Sequence, residues 1–416
     1  MEFRNFISDI DILELRNTPH CRIVLPNEHR THLIVTGPNG CGKTTFANAL
    51  TDTLNFNPSQ MNQIMKAVAE AESKDESVDK ALEGLNSIMR DIFLKSIDDN
   101  GLNRVVKTDL SQNFRFFIER DIHRFIVYSS EAHRKGNFSK PSGPSQLPER
   151  SSGEKLEQVL VNLDSRSAYL FRNLSRTEDD RERAELQHQY DAIERWFNNF
   201  HEALKELLGH DGVKLVSDEK NFNFTIHEDG KEPYGLAQLS DGYSAILKIV
   251  SDLMLAMSTD PVESYDMPGV AIIDEIETHL HVALQRKILP FLTRLFPNIQ
   301  FVVTTHSPFI LSSIANAVIF DMSTYKTYRD FSQYSYSNII EDYFDESQYS
   351  DNILARLHEA VKCLMKEVIS DVDKKTILDF DAYVNASDLD AVPVELKTKW
   401  DEVKLANFDK YYGLLQ

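Results

Sequence analysis

The chain has little cysteine, little tryptophan and no long apolar run. Its three cysteines, Cys21, Cys41 and Cys363, are far apart, so the sequence offers neither a paired Cys-x-x-Cys zinc motif nor a disulfide framework. No apolar run approaches the roughly 20 residues that span a bilayer, and the first residues lack the basic-then-apolar order of a secretion signal. We therefore expect a cytoplasmic protein that does not enter the membrane.

Positive charge is also scarce. The chain has 45 Lys and Arg against 65 Asp and Glu, a formal net charge of −20. Binding along nucleic acid needs a local excess of Lys and Arg, so this balance argues against a protein that coats DNA or RNA. Residues 104–155 are the exception, and a solvated surface with a loop explains them more simply than a nucleic-acid groove does. Their basic residues are Arg104, Lys107, Arg115, Arg120, Arg124, Arg134, Lys135, Lys140, Arg150 and Lys155.

The composition does supply a core, since 42% of the 416 residues are hydrophobic. This length fits two or three domains, or one large domain with an insertion. Short apolar runs between turn residues predict strands in residues 1–55 and 213–320, alternating with helices in an α/β rhythm. Residues 56–212 predict a mainly helical insertion with a central strand near 125–128. Residues 321–416 predict an acidic helical region.

One helix of the insertion contains a heptad seam of apolar residues. Two interpretations remain open. The helix packs its apolar face on a bundle, which we favour because the seam is short, or it forms a coiled-coil arm that contacts a second subunit or a partner. The residues of the seam are Leu186, Tyr190, Ile193, Phe197, Phe200, Leu204 and Leu207.

Residues 37–45 read GPNGCGKTT and follow an apolar run, which fits the phosphate-binding P-loop pattern. Small residues let backbone N–H groups close around phosphate oxygens, and the positive end of the following helix points at the same anion. Lys43 then bridges the β and γ phosphates of a nucleotide, and the Thr44 hydroxyl is a ligand for Mg²⁺. The residues expected to contact the nucleotide through this loop are Gly37, Pro38, Asn39, Gly40, Cys41, Gly42, Lys43, Thr44 and Thr45.

Two later strands end in groups suited to nucleotide hydrolysis. The run VAIIDE places Asp274 at the end of a buried strand, where it can hold the metal through water. Glu275 comes next and can orient or deprotonate the attacking water. The run FVVTTHSP places His306 after another strand, within reach of the γ-phosphate as a hydrogen-bond donor. Together with Lys43, Glu275 and His306 are the expected catalytic residues.

The run QLSDGYSAIL predicts a helix that begins at Ser240 and Gly242, and such a helix start is a second anion site. The P-loop and this helix start are then two anion sites in one sequence. Both are needed at one γ-phosphate only if the second site comes from another subunit. Together with the P-loop and the two strand ends, this segment resembles the ATP-binding-cassette ATPases. In that class, the signature helix of one subunit covers the ATP on the other.

Within that class, GPNG in the loop and TTHSPFIL after the last strand resemble the SMC, RecF and overcoming-lysogenization-defect branch. The closest likeness is to the ATPases of bacterial antiphage systems such as PARIS, Septu and the retron-linked systems. The stretch ETHLHVALQRKILPFL, at 277–292, strengthens the likeness. The resemblance implies that it corresponds to the D-loop at the interface between the two subunits of the dimer. The resemblance covers roughly residues 1–55 and 213–320.

The resemblance implies an α/β ATPase head that dimerises, or forms higher oligomers of dimers, around ATP and Mg²⁺. It further implies a switch that controls a separate effector, a nuclease, in response to a phage protein or nucleic acid. Three Asp pairs near the chain's end follow no recognisable strand–Glu element, namely Asp371 with Asp373, Asp379 with Asp381, and Asp388 with Asp390. We therefore expect an acidic helical face there and no nuclease within the chain.

The chain also departs from the family pattern. The signature has Asp241 where transporters have Gly, which puts an acid near the γ-phosphate of the other subunit. The sequence does not place the Q-loop glutamine: Gln112, ahead of the central strand, and Gln63 are candidates, and neither has the expected context. A DNA-repair ATPase that clamps DNA in the RecF manner stays as the alternative function. A transporter subunit fits poorly because of the long insertion, and a metabolic kinase needs no such signature helix.

Overall fold

The computed structural model describes most of the chain, and it divides the chain into two compact units, Met1–Tyr334 and Ser335–Gln416. We call them the head and the C-terminal unit. The described residues are 5–15, 18–55, 105–110, 116–117, 120, 124–130, 156–218, 223–257, 266–329, 331–333, 351–366, 368–385 and 394–414.

The strands all lie in the head, as far as the described residues go. They are β1 Asp9–Ile12, β2 Cys21–Val24, β3 His32–Thr36, β4 Val106–Thr108, β5 Ile126–Ser130, β6 Lys214–Asp218, β7 Asn223–His227, β8 Tyr234–Gly235, β9 Gly269–Ile273, β10 Ile299–Thr304, β11 Ala317–Asp321 and β12 Lys326–Arg329. The helices of the head are α1 Lys43–Asn55, α2 Leu156–Leu174, α3 Asp180–Leu208, α4 Asp241–Met257, α5 Val282–Leu295 and α6 Pro308–Leu311. Those of the C-terminal unit are α7 Asp351–Met365, α8 Asp371–Val384, α9 Val394–Ala406 and α10 Phe408–Gly413.

The main sheet has six strands in the order β12-β11-β3-β10-β9-β5. All neighbours pair in parallel except β12, which is antiparallel to β11. Strands β3, β9, β10 and β11 are buried along their whole length, which is why their sequences are mostly apolar and do not alternate with polar residues. The α/β fold expected from the sequence is therefore confirmed.

The close pairing of β5 with β9 depends on a glycine. A Cβ atom on Gly269 would lie 2.4 Å from Cγ1 of Ile126 and 2.6 Å from its carbonyl oxygen. Only a residue without a side chain fits between the two backbones at this point. The central strand expected near 125–128 is β5, and it forms one edge of the main sheet.

Two smaller antiparallel sheets complete the head. One has the order β2-β1-β4, and its inward side chains join the cluster that packs around α1 and the main sheet. The other has the order β6-β7-β8 and leads directly into the segment before α4. This second sheet is therefore connected to the start of α4 by a short segment.

The helix with the heptad seam, α3, is capped at both ends. Asp179 accepts hydrogen bonds from the backbone of Arg181 and Glu182, and Gly209 ends the helix with a left-handed φ of 78°. The C-terminal half of the seam is buried at Ile193, Phe200, Leu204 and Leu207.

The side chain of Lys287 on α5 fixes the C-terminal end of α3. Its Nζ donates to the carbonyl oxygens of Glu206 and Leu207 at 2.8 and 3.0 Å. Further along the seam, the ring of Phe197 stacks on that of Phe224 from β7. These contacts agree with the bundle interpretation for this half of the helix, whereas the first ten residues of α3 are mostly exposed.

The head continues past residue 320, where the sequence pattern placed its end. The hairpin of β11 and β12 adds two strands to the main sheet and extends it to Arg329. In the structure the boundary lies after residue 334. A four-residue edge strand rich in Lys, Tyr and Arg leaves little apolar pattern in the sequence, which is why this strand was not expected.

The C-terminal unit has its own core of aromatic and aliphatic side chains. Trp400 and Phe380 pack edge to face at 5.1 Å between ring centroids, and both are buried. The carboxylate of Asp381 accepts hydrogen bonds from Trp400 Nε1 at 2.8 Å and from Lys404 Nζ at 2.9 Å. Asp373 forms a capping box with Ser370 at the start of α8.

Among the helices that the structure describes, none combines the length and apolar content needed to cross a bilayer.

The buried His32 makes the stability of the head depend on pH. Its Nδ1 accepts a hydrogen bond from the backbone N–H of Phe301 at 3.0 Å, and burial lowers the pKa of the ring from 6.5 to about 4. Between these values the unfolded chain binds the proton and the folded chain does not. The contribution of His32 to the free energy of unfolding is therefore fully present above pH 6.5, and it is lost as the pH falls toward 4.

Replacing His32 with Gln keeps a hydrogen-bond acceptor and removes the titration. We expect the loss of unfolding free energy between pH 7.5 and 4.5 to shrink by about 2 to 3 kcal/mol relative to wild type. Urea unfolding at the two pH values measures it, with the exposed His188→Gln as the matched control. An unchanged pH dependence in His32→Gln means that this ring does not titrate as described.

Candidate nucleotide-binding and hydrolysis site

The glycine loop lies between β3 and α1, at the carboxyl edge of the main sheet. Three of its residues have left-handed backbone conformations, namely Gly37 with φ 133°, Gly40 with φ 81° and Gly42 with φ 105°. A Cβ on Gly37 would lie 2.9 Å from Sγ of Cys41 and 3.3 Å from Oδ1 of Asp321. The loop conformation therefore requires glycine here for its backbone angles and for its close packing.

The side chain of Lys43 is buried inside this loop, with 5% of its surface exposed. Its Nζ donates to the carbonyl oxygens of Gly37 at 2.9 Å and Pro38 at 3.1 Å. It also lies 3.4 Å from Nδ1 of His306 and 3.8 Å from Sγ of Cys41. The ammonium is thus held by neutral oxygen, nitrogen and sulfur atoms, an arrangement that leaves its charge uncompensated and attracts an anion.

The carboxylate of Asp274, at the end of β9, joins two neighbouring elements. It accepts a hydrogen bond from Thr44 Oγ1 at 2.9 Å and another from Thr304 Oγ1 at 2.6 Å. Asp274 is only 7% exposed, and its backbone N–H donates to the Ser130 carbonyl of β5 at 2.9 Å. The Thr44–Asp274 pair expected to hold a metal is therefore brought together by the fold.

Glu275 follows in an unusual conformation, with a left-handed φ of 44°. Its backbone N–H donates to Thr304 Oγ1 at 2.8 Å, and its Oε2 accepts from Thr278 Oγ1 at 3.3 Å. A positive φ in a residue with a side chain costs about 1 kcal/mol or more and persists where neighbouring contacts fix it. The hydroxyl of Thr304 provides that contact, because it accepts from Glu275 while it donates to Asp274.

His306 lies half-buried after β10, beside Lys43. Burial and the nearby Lys43 ammonium lower the pKa of the imidazole, so the neutral ring dominates near pH 7. The backbone N–H of His306 donates to Oε1 of Glu277 at 2.5 Å. In the next residue, Ser307 Oγ donates to Oε1 of Gln285 on α5 at 2.6 Å. His306 is therefore tied to the 277–292 segment.

The signature residues lie elsewhere in the head. Ser240 and Asp241 are exposed at the start of α4. The nearest atoms to a Cβ on Gly242 would belong to Leu284, at 2.9 Å, and to the His279 carbonyl, at 3.4 Å. Gly242 thus lets α4 pack against the 277–292 segment, and its neighbours within one chain are not those of the glycine loop.

Some predicted residues lie outside the described part of the chain. They include both Q-loop candidates, Gln63 and Gln112, and most of the basic residues between 104 and 155. Of that basic group the structure describes Lys107, Arg120 and Arg124, and Arg120 donates to the Leu54 carbonyl at the end of α1.

Two functional positions were missed by sequence reasoning. Thr304 was read only as part of an apolar strand, although a threonine directly before Thr305 and His306 marks the strand end. Asp321, at the end of β11, accepts hydrogen bonds from Ser323 N and Oγ, each at 2.7 Å, and from Thr324 Oγ1 at 2.9 Å. The turn that Asp321 fixes packs against Gly37, so the glycine loop contacts the end of β11.

The residues present fit a nucleotide phosphate and a magnesium ion. The buried Lys43 ammonium and the glycine loop supply positive charge and backbone donors, as a phosphate needs. The Thr44 hydroxyl and the Asp274 carboxylate are hard oxygen ligands 2.9 Å apart, the type of donor that Mg²⁺ prefers. Mg²⁺ held by few protein groups takes its remaining ligands from water and from substrate phosphates.

A phosphate-type loop between a parallel strand and a helix, with a buried Asp at the end of a nearby strand, defines the P-loop nucleotide-binding class. The family model described as "AAA domain, putative AbiEii toxin, Type IV TA system" matches residues 33–312, well over half of the chain. The chain belongs to this family.

Curated relatives match parts of the chain. "Retron Ec83 probable ATPase" of Escherichia coli is 34% identical over 24% of this chain and 18% of its own length. "Septu protein PtuA" of Bacillus mycoides (strain KBAB4) is 31% identical over 30% of this chain and 17% of its own length. "Retron Vc95 probable ATPase" of Vibrio cholerae is 30% identical over 28% of this chain and 23% of its own length. The chain thus spans less than a quarter of these relatives.

Solved SMC head domains are distant structural neighbours. The head from Thermotoga maritima covers 76% of this chain and 94% of its own, with 11% identity and a TM-score of 0.35. A head from Pyrococcus furiosus, bound to the C-terminal domain of ScpA, covers 76% of this chain and 93% of its own, with 12% identity and a TM-score of 0.33. The fold stated above rests on the strand order of this chain.

Thr304→Val tests whether this hydroxyl organises the site. The substitution keeps the shape of the side chain and leaves one oxygen of Asp274 and the N–H of Glu275 without this partner. We expect the free energy of local opening in strands β9 and β10 to fall by about 1 to 3 kcal/mol, so that their backbone amides exchange faster. Hydrogen–deuterium exchange with mass spectrometry measures it.

Thr51→Val is the matched control, because the Thr51 hydroxyl donates only to the Ala47 carbonyl in its own helix. We expect its exchange in β9 and β10 to equal that of wild type. Equal protection in Thr304→Val and Thr51→Val contradicts an organising role for Thr304.

Proposed function

We propose that the head hydrolyses ATP and that the chain uses this reaction as a switch in bacterial defence against phage. The observation that carries the proposal is the buried Lys43 ammonium, held in the glycine loop 3.4 Å from His306. Thr44, the residue after Lys43, donates to Asp274 at the same carboxyl edge of the sheet. This is a positive pocket beside a metal-type ligand pair, which suits a nucleoside triphosphate.

Each group has a role that follows from its position. Lys43 and the loop N–H groups bind the phosphates, and Glu275 orients or deprotonates the attacking water. Thr44 and Asp274 would hold Mg²⁺, which would neutralise charge on the phosphates. His306 has its Nδ1 facing the Lys43 ammonium and accepts from it, so the neutral ring carries its proton on Nε2 and donates from there.

We infer that two chains share each ATP. Ser240 is exposed at the N-terminus of the 17-residue helix α4, which is an anion-attracting end. Gly242 packs on the 277–292 segment, in which Glu277 accepts from the His306 N–H and Gln285 accepts from the Ser307 hydroxyl. A second chain would therefore complete the site by placing its own Ser240 against the phosphates bound to the first chain. The α4 helix that carries this Ser240 packs on the second chain's own 277–292 segment, which is hydrogen-bonded to that chain's His306.

The defence role is supported by the relatives named as retron and Septu proteins. We infer a separate effector, a nuclease, triggered by a phage protein or a nucleic acid. The carboxylates of Asp373 and Asp381 are engaged by hydrogen bonds within the C-terminal unit, which favours a structural role for them. Asp388 and Asp390 lie outside the described residues.

Glu275→Gln separates binding from hydrolysis. The amide cannot take a proton from water, so we expect hydrolysis to slow at least about 100-fold while ATP binding is retained. Phosphate release and equilibrium binding of ATP measure the two steps, and light scattering should show a longer-lived dimer. Lys43→Ala is the contrast, because it loses ATP binding itself. Hydrolysis at the wild-type rate in Glu275→Gln contradicts the assignment of the base.

The same variant identifies the partner. We expect tagged Glu275→Gln protein, recovered from its host cells in Mg-ATP, to carry a second protein in fixed stoichiometry, read by mass spectrometry. Lys43→Ala, recovered in parallel, shows which partners need the ATP-bound state. Recovery of the ATPase alone with nuclease-sensitive DNA contradicts the effector model and supports the DNA-clamping alternative.

A further inference from the structure

A cavity lies at the edge of the main sheet opposite the glycine loop, where the parallel strands begin. Its wall includes His32, the first residue of β3, together with the C-terminal half of α5 and the loop before β11. Its volume of about 470 Å³ lies in the range of pockets that hold small ligands. Because β3 and β11 run in parallel, this edge is the one farthest along the strands from the glycine loop.

Arg30 enters the cavity with part of its guanidinium already fixed. Its Nη1 donates to the Pro297 carbonyl at 2.5 Å and lies 3.4 Å from Oδ1 of Asn298. The backbone is held as well, because the Arg30 carbonyl accepts from Asn316 Nδ2 at 2.8 Å. The guanidinium is therefore positioned before any ligand arrives.

The Nε atom of Arg30 is buried and has no hydrogen-bond partner. Nε has almost no accessible surface, so a ligand in the cavity cannot reach it. Within the described part of the chain, Nη2 also has no hydrogen-bond partner but, unlike Nε, it is not buried, so its N–H groups can donate to a carboxylate oxygen of a ligand. Among the described residues, no carboxylate lies within ion-pairing distance of Arg30, and burial lowers the pKa of its guanidinium.

The charge of the cavity favours a single negative charge. His32 is neutral at pH 7, since its pKa is about 4, and its Nδ1 is used by the Phe301 N–H. Among the described residues that line the cavity, Arg30 is then the one cation. A phosphate dianion needs more positive charge than this, whereas a carboxylate is matched by one guanidinium.

The remaining wall is suited to an apolar body with a few polar contacts. Pro290 and Ile314 are apolar, and the hydroxyls of Thr293 and Ser313 already donate to carbonyls within their own segments. Those hydroxyl oxygens are left to accept. We propose that this cavity binds a carboxylate carried on a small apolar body, with Arg30 as its anchor. The carboxylate comes from a free organic acid or from the end of a polypeptide, and the two sources share this chemistry.

The test uses the full-length protein and saturation-transfer difference NMR with butyrate as the probe. We expect butyrate to bind and the isosteric neutral butyramide not to bind, and an excess of inorganic phosphate not to displace butyrate. Arg30→Gln should weaken butyrate binding at least about tenfold, because it removes a charge-assisted hydrogen bond. Arg30→Lys keeps the charge without the planar guanidinium and should also bind more weakly than wild type.

Arg294→Gln is the matched control, since Arg294 lies on the same helix as Pro290 and pairs with Glu206 outside the cavity. It should bind butyrate like wild type. Equal butyrate binding by wild type and Arg30→Gln, or equal binding of butyrate and butyramide, overturns the proposal. Displacement of butyrate from the Arg30 site by phosphate overturns it as well.

The source of the carboxylate is resolved by a second pair of probes, acetyl-alanyl-leucine and its C-terminal amide. Tighter binding of the free-acid peptide than of butyrate, with loss in the amide, identifies a polypeptide end. Binding of butyrate without binding of the peptide identifies a free organic acid. Equal binding of the acid and amide peptides contradicts recognition of a carboxylate.

Discussion

The candidate site depends on one buried carboxylate. Asp274 accepts hydrogen bonds from Thr44 on α1 and from Thr304 at the end of β10, and so connects three neighbouring parts of the sheet edge. The same Thr304 hydroxyl holds the backbone of Glu275 in its left-handed conformation. The metal-type ligands and the proposed base are therefore positioned by a shared set of contacts, and disturbing one affects the others.

The local parts of this site could be predicted from the sequence. A glycine loop with Lys43 and Thr44, after an apolar run, specifies its own conformation through residues that are adjacent in the chain. The contacts of Thr304 could not be predicted, because they depend on the parallel register that sets Thr304 beside Val35 and Val303 beside Ile273. A one-residue change of register would move that hydroxyl to the other face.

Gly242 shows a different limit of sequence reasoning. Its place in the LSDGY run suggested a contact with nucleotide, and that role stays a prediction. Within one chain the structure gives a packing reason for glycine, because a Cβ would meet Leu284 and the His279 carbonyl. The short strand β12 was missed for a related reason, since an exposed edge strand carries little apolar pattern.

The central claim is that each ATP is hydrolysed between two chains, and mixed dimers test it most directly. Ser240→Arg protein has an intact P-loop and Lys43→Ala protein has an intact signature helix, so each alone should be inactive. Mixed together they should regain ATPase activity, because one of the two composite sites in each mixed dimer has both intact halves. If mixed dimers form and stay as inactive as either variant alone, or if Ser240→Arg alone hydrolyses ATP like wild type, the shared site is contradicted.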